Sequence, residues 1–131
     1  MRFTENELTA ALTGAAKAVV AADRKHRKRG ADIDEVWDGM DRYQRFTMLD
    51  ALGSQILPVL VALPDVEVEP GTRPTFTEQQ VKDTVTDLVG EEHGRLRRAV
   101  LIKSRIALVQ TALAHVPPRL DPDAILPTDG L

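Results

Sequence analysis

The chain has 131 residues, a length suited to a single domain whose core needs neither disulfide nor metal to hold it. Its composition, 43% apolar and 28% charged, excludes wholesale disorder. The net charge of −3 provides no overall field for nucleic acid or an anionic membrane, and the lack of cysteine excludes disulfides and thiolate metal sites. Aromatic residues make up only 4%, so Ala, Val, Leu and Ile must fill the core. The longest apolar run, Ile56 to Leu63, is broken by Pro58 and falls far short of the roughly 18 residues that span a bilayer. Near the N-terminus Glu5 and Glu7 stand where a signal peptide carries positive charge. A cytoplasmic protein with no membrane partner is expected.

The first helix is announced by Thr4 as N-cap, with Glu7 three residues on closing a capping box and Phe3 and Leu8 as a hydrophobic staple. Leu8, Leu12, Ala15, Val19 and Ala22 recur at spacings of 3 and 4, and the helix is expected to end in the basic run before Gly30. A second segment starts near Asp32 or Asp34 and places Ile33, Val36, Trp37 and Met40 on a short helical stretch. It resumes after Gly39-Met40-Asp41, where Phe46, Leu49, Gly53, Ile56, Leu60 and Leu63 keep the rhythm of a packed helix. Pro58 removes a backbone donor, so a kink or split is expected there, with a short strand over 59–63 as the alternative. The three prolines of 64–74 predict a loop, in which Val66 and Val68 alternate with Glu67 and Glu69 like an edge strand.

Phe76-Thr77-Glu78-Gln79-Gln80-Val81 repeats the signature seen at Phe3, with Thr77 as cap and Gln80 closing the box. Val81, Val85 and Leu88 stripe this third helix. The fourth is expected from about Glu91 to His115. Ala99, Ile102, Ile106, Val109 and Leu113 form its main seam, and Leu96, Val100, Ala107 and Ala114 a second stripe. A helix apolar over so wide an arc is central in its bundle or shared between subunits. Pro117 and Pro118 end it, and the remaining tail is expected to be extended. The prediction is therefore an all-α fold: four principal helices, the second kinked or split at Pro58, around a central C-terminal helix, with a domain over 1–116 and a proline-rich tail over 117–131.

Chemistry-bearing patterns are sparse. Arg24, Lys25, Arg27, Lys28 and Arg29 could grip phosphates, since each neutralised phosphate releases counterions. The acidic residues from Asp32 to Asp41 follow at once and would cancel that field, and cations are in any case favoured at a helix C-terminus. Arg95, Arg97, Arg98, Lys103 and Arg105 after Gly90 suggest a helix-turn-helix, but a recognition helix needs a polar face free to enter the groove. His26, His93 and His115 are isolated, and Asp83, Asp87 and Glu91 at intervals of four read as a solvated face. Neither Ser54 nor Ser104 sits in a strand-turn-helix elbow, and the glycines are scattered. Trp37-Asp38-Gly39 resembles the Trp-x-Gly turn of the small secreted helical hairpins of type VII systems. Thr47 stands where an acid should follow Tyr43, so the tripeptide implies no membership and Trp37 is expected as a core anchor. No cofactor, metal or catalytic residue is expected. A non-enzymatic interaction or assembly protein is, either a homodimer through Ile102, Ile106, Val109 and Leu113 or bound to another protein. The alternative is a nucleic-acid-binding accessory protein using the basic run, and a carboxylate-dependent enzyme ranks behind both.

Overall fold

The computed structural model describes residues 1–23 and 32–119. Helices occupy 68% of the described residues and no strand occurs among them, so the all-α class holds. Among the described residues five helices follow one another: α1 (Glu5–Ala22), α2 (Ile33–Asp38), α3 (Arg42–Ala62), α4 (Glu78–Leu88) and α5 (Arg95–Ala114). α5 packs against α1, α3 and α4, and α1 also meets α2 and α3.

The capping residues set the helix starts. Thr4 and Thr77 each accept from the backbone N–H three residues on, Glu7 at 3.1 Å and Gln80 at 3.0 Å, and both capping boxes are closed. Asp32 caps α2 through Asp34 N–H. A third box, Asp41 with Gln44, opens α3. That box places the break in the second predicted helix at Gly39–Asp41, not at Pro58. α3 runs through Pro58 to Ala62. Pro58 has no N–H to offer the Ser54 carbonyl, but both residues are exposed, so water can serve the freed group. The strand considered for 59–63 is thus helical, and the loop over 64–77 contains no strand. α5 starts later than expected, at Arg95 after Gly94, because 91–93 form a turn between Gly90 and Gly94.

Three of the helix ends share one device. None of the five carries a basic residue in its last turn, yet carbonyls at the ends of α3, α4 and α5 receive cationic donors from elsewhere in the chain. The Met1 amine donates to Val61 O and Leu63 O beside the end of α3. Arg98 donates to Thr86 O at 3.1 Å and Val89 O at 3.4 Å, closing α4, and Arg73 donates to Ala114 O, closing α5. Each arrangement satisfies orphan carbonyls and sets positive charge at the negative pole of a helix. Arg98 and Arg73 are thereby committed to structure.

The core is aliphatic, with Ile56, Leu60, Leu63, Val59, Val85, Val109 and Val116 its largest fully buried side chains. α1 buries mainly small residues, of which only Ala15 belongs to its predicted stripe, and Leu8 and Leu12 of that stripe are partly buried against the core. Ala11, Gly14, Ala15 and Ala16 are buried while Val19 is exposed, which lets α5 approach closely. A Cβ on Gly14 would lie 2.1 Å from His115 Cγ, so no side chain fits at that crossing without displacement. Trp37 is buried, as a core anchor should be.

The last described residues bind back onto the body. Val116 is buried, Arg119 N–H donates to Thr72 O at 2.8 Å, and Gly71 N–H donates to Arg119 O at 2.7 Å. Gly71 has φ +82°, a conformation that glycine adopts without strain. The Arg119 guanidinium reaches Glu7 Oε2 at 3.0 Å and Arg2 O at 2.7 Å, tying both ends of the described chain to the loop between α3 and α4. Burial alone would raise the Glu7 carboxyl. The Arg119 hydrogen bond, the Thr4 N–H and the Arg119 charge outweigh it and hold Glu7 below the usual carboxylate range.

Candidate functional site

The residues singled out in the sequence fall into different places. Of the α5 seam, Val109 is fully buried, Ile102, Ile106 and Leu113 are half-buried against this chain's own core, and Ala99 is exposed. The second stripe is on the opposite side: Leu96, Val100, Ala107 and Ala114 are all exposed, Leu96 by 84%. Arg24, Lys25, Arg27, Lys28 and Arg29, with His26, lie outside the described residues, and α1 closes at Ala22 before that run begins. On α5, Arg98 caps α4 and Arg105 is half-buried, which leaves Arg95, Arg97 and Lys103 exposed around Leu96 and Val100.

Little of the polar chemistry is free to act. The hydroxyls of Ser54 and Ser104 donate to carbonyls three residues back, Ala51 O and Leu101 O. His115 Nδ1 lies 2.8 Å from Thr111 O, and His93 faces only Glu92 at 3.6 Å. Asp83 accepts from Gln79 at 2.6 Å, and Asp34 pairs with Lys17 at 2.8 Å. No group of three metal-ligating side chains occurs among the described residues. No helix among them is long and apolar enough to cross a membrane.

The face that stands out is the outer side of α3, of which the sequence pattern assigned one residue, Phe46, to the packed side. Phe46, predicted to be buried, is 64% exposed, Tyr43 is 73% exposed and Val61 64%. Counted along the helix, Tyr43, Phe46, Asp50, Ser54, Leu57 and Val61 recur at 3 and 4, one continuous stripe at helical spacing. The buried set is Leu52, Gly53, Ile56, Val59 and Leu60. Both sets keep a helical period, so the apolar pattern alone does not fix which side faces inward.

Two apolar grooves flank this stripe. The first, about 650 Å³, runs along the C-terminal half of α3 between Leu12 of α1 and Leu49, Gly53, Leu57, Val61 and Ala62. Gly53 forms its floor: a Cβ there would sit 3.7 Å from both Leu12 Cδ1 and Leu57 Cδ1. The second, about 830 Å³, lies at the other end among Val19, Val36, Met40, Tyr43, Met48 and Leu52. Comparisons with protein-family models, curated proteins and solved structures return no match.

Proposed function

We propose that this chain is a non-enzymatic interaction protein, a subunit of a larger assembly or of its own oligomer, that docks through the outer face of α3. In this reading the helices form one bundle around α5, with the chain beyond Val116 as an extended tail and α3 as the contact helix. The observation that carries it is the placement of aromatic residues. The chain has only five Phe, Tyr and Trp residues, and two of them, Tyr43 and Phe46, stand one turn apart in solvent beside apolar grooves. Aromatic residues are enriched in docking surfaces, where a few large rings supply most of the affinity. Covering a mostly exposed ring is worth roughly 3 kcal/mol from its area, so leaving two uncovered forgoes a large stabilisation. The outer stripe of α5 is the weaker candidate, since Leu96 and Val100 are followed by alanines and interrupted by Lys103.

Replacing Phe46 by Glu tests the reading. Phe46 is mostly in solvent, so helix content and stability should change by less than about 0.5 kcal/mol. Association, measured by light scattering or by binding to a co-purified protein, should weaken strongly. A folded Phe46→Glu variant that associates like the parent removes α3 as the docking face.

A further inference from the structure

We propose that the outer face of α5 binds an acidic segment of another protein, one that carries aliphatic side chains among its carboxylates. This surface is separate from α3 and does not depend on the docking role assigned there, since α3 and α5 pack their inner sides together. The basis is charge. None of the chain's 20 aspartates and glutamates falls between Glu92 and Asp121, and among the described helices α5 alone lacks an acidic residue. Arg98 closes α4 and Arg105 is half-buried, but Arg95, Arg97 and Lys103 are exposed. Among the described residues these three find no ion pair and no side-chain hydrogen bond. Three unneutralised cations thus surround Leu96 and Val100 on a chain whose net charge is −3.

The arrangement sets the partner's chemistry. Leu96 and Val100, 84% and 66% exposed, stand one turn apart at the centre of the patch. Arg95 and Arg97 are set about 100° to either side of Leu96, and Lys103 lies two turns, about 10 Å, along the same stripe. An apolar centre inside a charged rim is the anatomy of a protein interface. A nucleic-acid backbone would bring phosphates to the cations but press the same charge onto both aliphatics. An anionic bilayer needs more apolar surface than two side chains, and after Val100 the stripe continues with Lys103, Ala107 and Ala114. An acidic segment with aliphatic side chains one turn apart matches both parts of the patch. Because the chain as a whole is acidic, such a segment is drawn to α5 and repelled elsewhere, which fixes where it lands.

The probe is a fluorescent helical peptide of about 20 residues, made of glutamate and alanine with two leucines four apart, titrated with the full chain. The parent should bind it, and binding should weaken roughly threefold or more as salt rises from about 0.05 to about 0.3 M. A peptide with glutamine for every glutamate should bind roughly tenfold more weakly, and so should the glutamate peptide to an Arg95→Glu/Arg97→Glu/Lys103→Glu chain. That variant should keep its helix content in circular dichroism, because the three side chains form no ion pair and negative charge suits the first turn of a helix. Changing the same three residues to Gln gives a milder second variant, with a smaller loss of the same sign. Leu96→Ser should weaken binding severalfold, whereas Phe46→Glu should leave it unchanged. A parent that does not bind, a glutamine peptide that binds equally well, or a folded triple variant that binds like the parent overturns the proposal. So does a Leu96→Ser chain with parent-like binding, because the apolar centre then plays no part. If a DNA duplex or phosphatidylglycerol vesicles are held through the same three cations more tightly than the peptide, the occupant is nucleic acid or lipid and the protein partner falls. A loss caused by Phe46→Glu would merge the two faces and overturn the separate site.

Discussion

Replacing Gly14 by alanine sets two effects of opposite sign against each other, and the structure decides between them. Alanine is the better helix former by about 0.8–1.0 kcal/mol, so on propensity alone the variant gains. The new methyl, however, would sit 2.1 Å from His115 Cγ, 2.4 Å from His115 Cβ and 2.5 Å from Cδ2. Carbon atoms pack at about 3.5–4.0 Å, so the overlap exceeds 1 Å. Turning the ring does not relieve it, because rotation about χ1 leaves Cβ where it is. The backbone at the end of α5 must move away from α1, and overpacking of this kind costs about 1–3 kcal/mol. The expected net result is a loss of about 1–2 kcal/mol, read by urea denaturation with circular dichroism. The same distances predict an unusual rescue pattern. His115→Ala retains the Cβ and should rescue little, whereas His115→Gly removes all three offending atoms. The Gly14→Ala/His115→Gly pair should therefore show a coupling of about 1–3 kcal/mol in a double-mutant cycle. A Gly14→Ala protein about 1 kcal/mol more stable than the parent, or a cycle with no coupling, would show that α1 and the end of α5 do not cross as described.

Two further outcomes test the remaining contacts. Arg119→Ala leaves the buried Glu7 with its Thr4 partners only and should cost about 1–3 kcal/mol, discounted from a fully buried pair because Arg119 is partly in solvent. Glu7 is depressed in the folded state, so the stability it contributes is fully present above its unfolded value, near 4.5, and is lost as pH falls through the lower folded value. The variant's deficit should therefore shrink on acidification in denaturation curves between neutral pH and pH of about 3, and a pH-independent deficit would deny the ion pair its role. Thr4→Ala and Thr77→Ala should each cost about 1 kcal/mol, the usual worth of an N-cap, and parent-like melting of both would misplace the starts of α1 and α4.

Much of the helical order was legible because capping is local chemistry. Thr4 with Glu7 and Thr77 with Gln80 mark helix starts within a few residues of sequence, and the structure starts α1 and α4 there. Features that depend on distant partners were not legible. Pro58 reads as a break, yet its tolerance rests on α3 facing solvent at that point. The predicted stripe of α1 followed its larger residues. The close approach to the end of α5 is made at Gly14, whose value lies in what it omits, and only the position of His115 reveals it. The arginines show the same limit: nothing local to Arg98 or Arg73 indicates that each closes a helix to which it does not belong.

The candidate site was hidden by an ambiguity of period. Helix α3 carries apolar residues on two sides, and a rhythm of 3 and 4 can be traced through either. Phe46, Leu49, Gly53, Ile56, Leu60 and Leu63 form one such path, and it mixes an exposed ring with a buried core. The signal that separates them is the company each residue keeps. The buried members of α3 are mainly aliphatic, which suits a core closed by alanines on α1, while the rings of Tyr43 and Phe46 project into solvent. Two exposed rings one helix turn apart are a feature of the surface, not of the core. A chain of this composition would fold as well with polar residues at both positions, since neither contributes to the buried set. Covering either ring would be worth roughly 3 kcal/mol, a stabilisation that the single chain leaves unrealised.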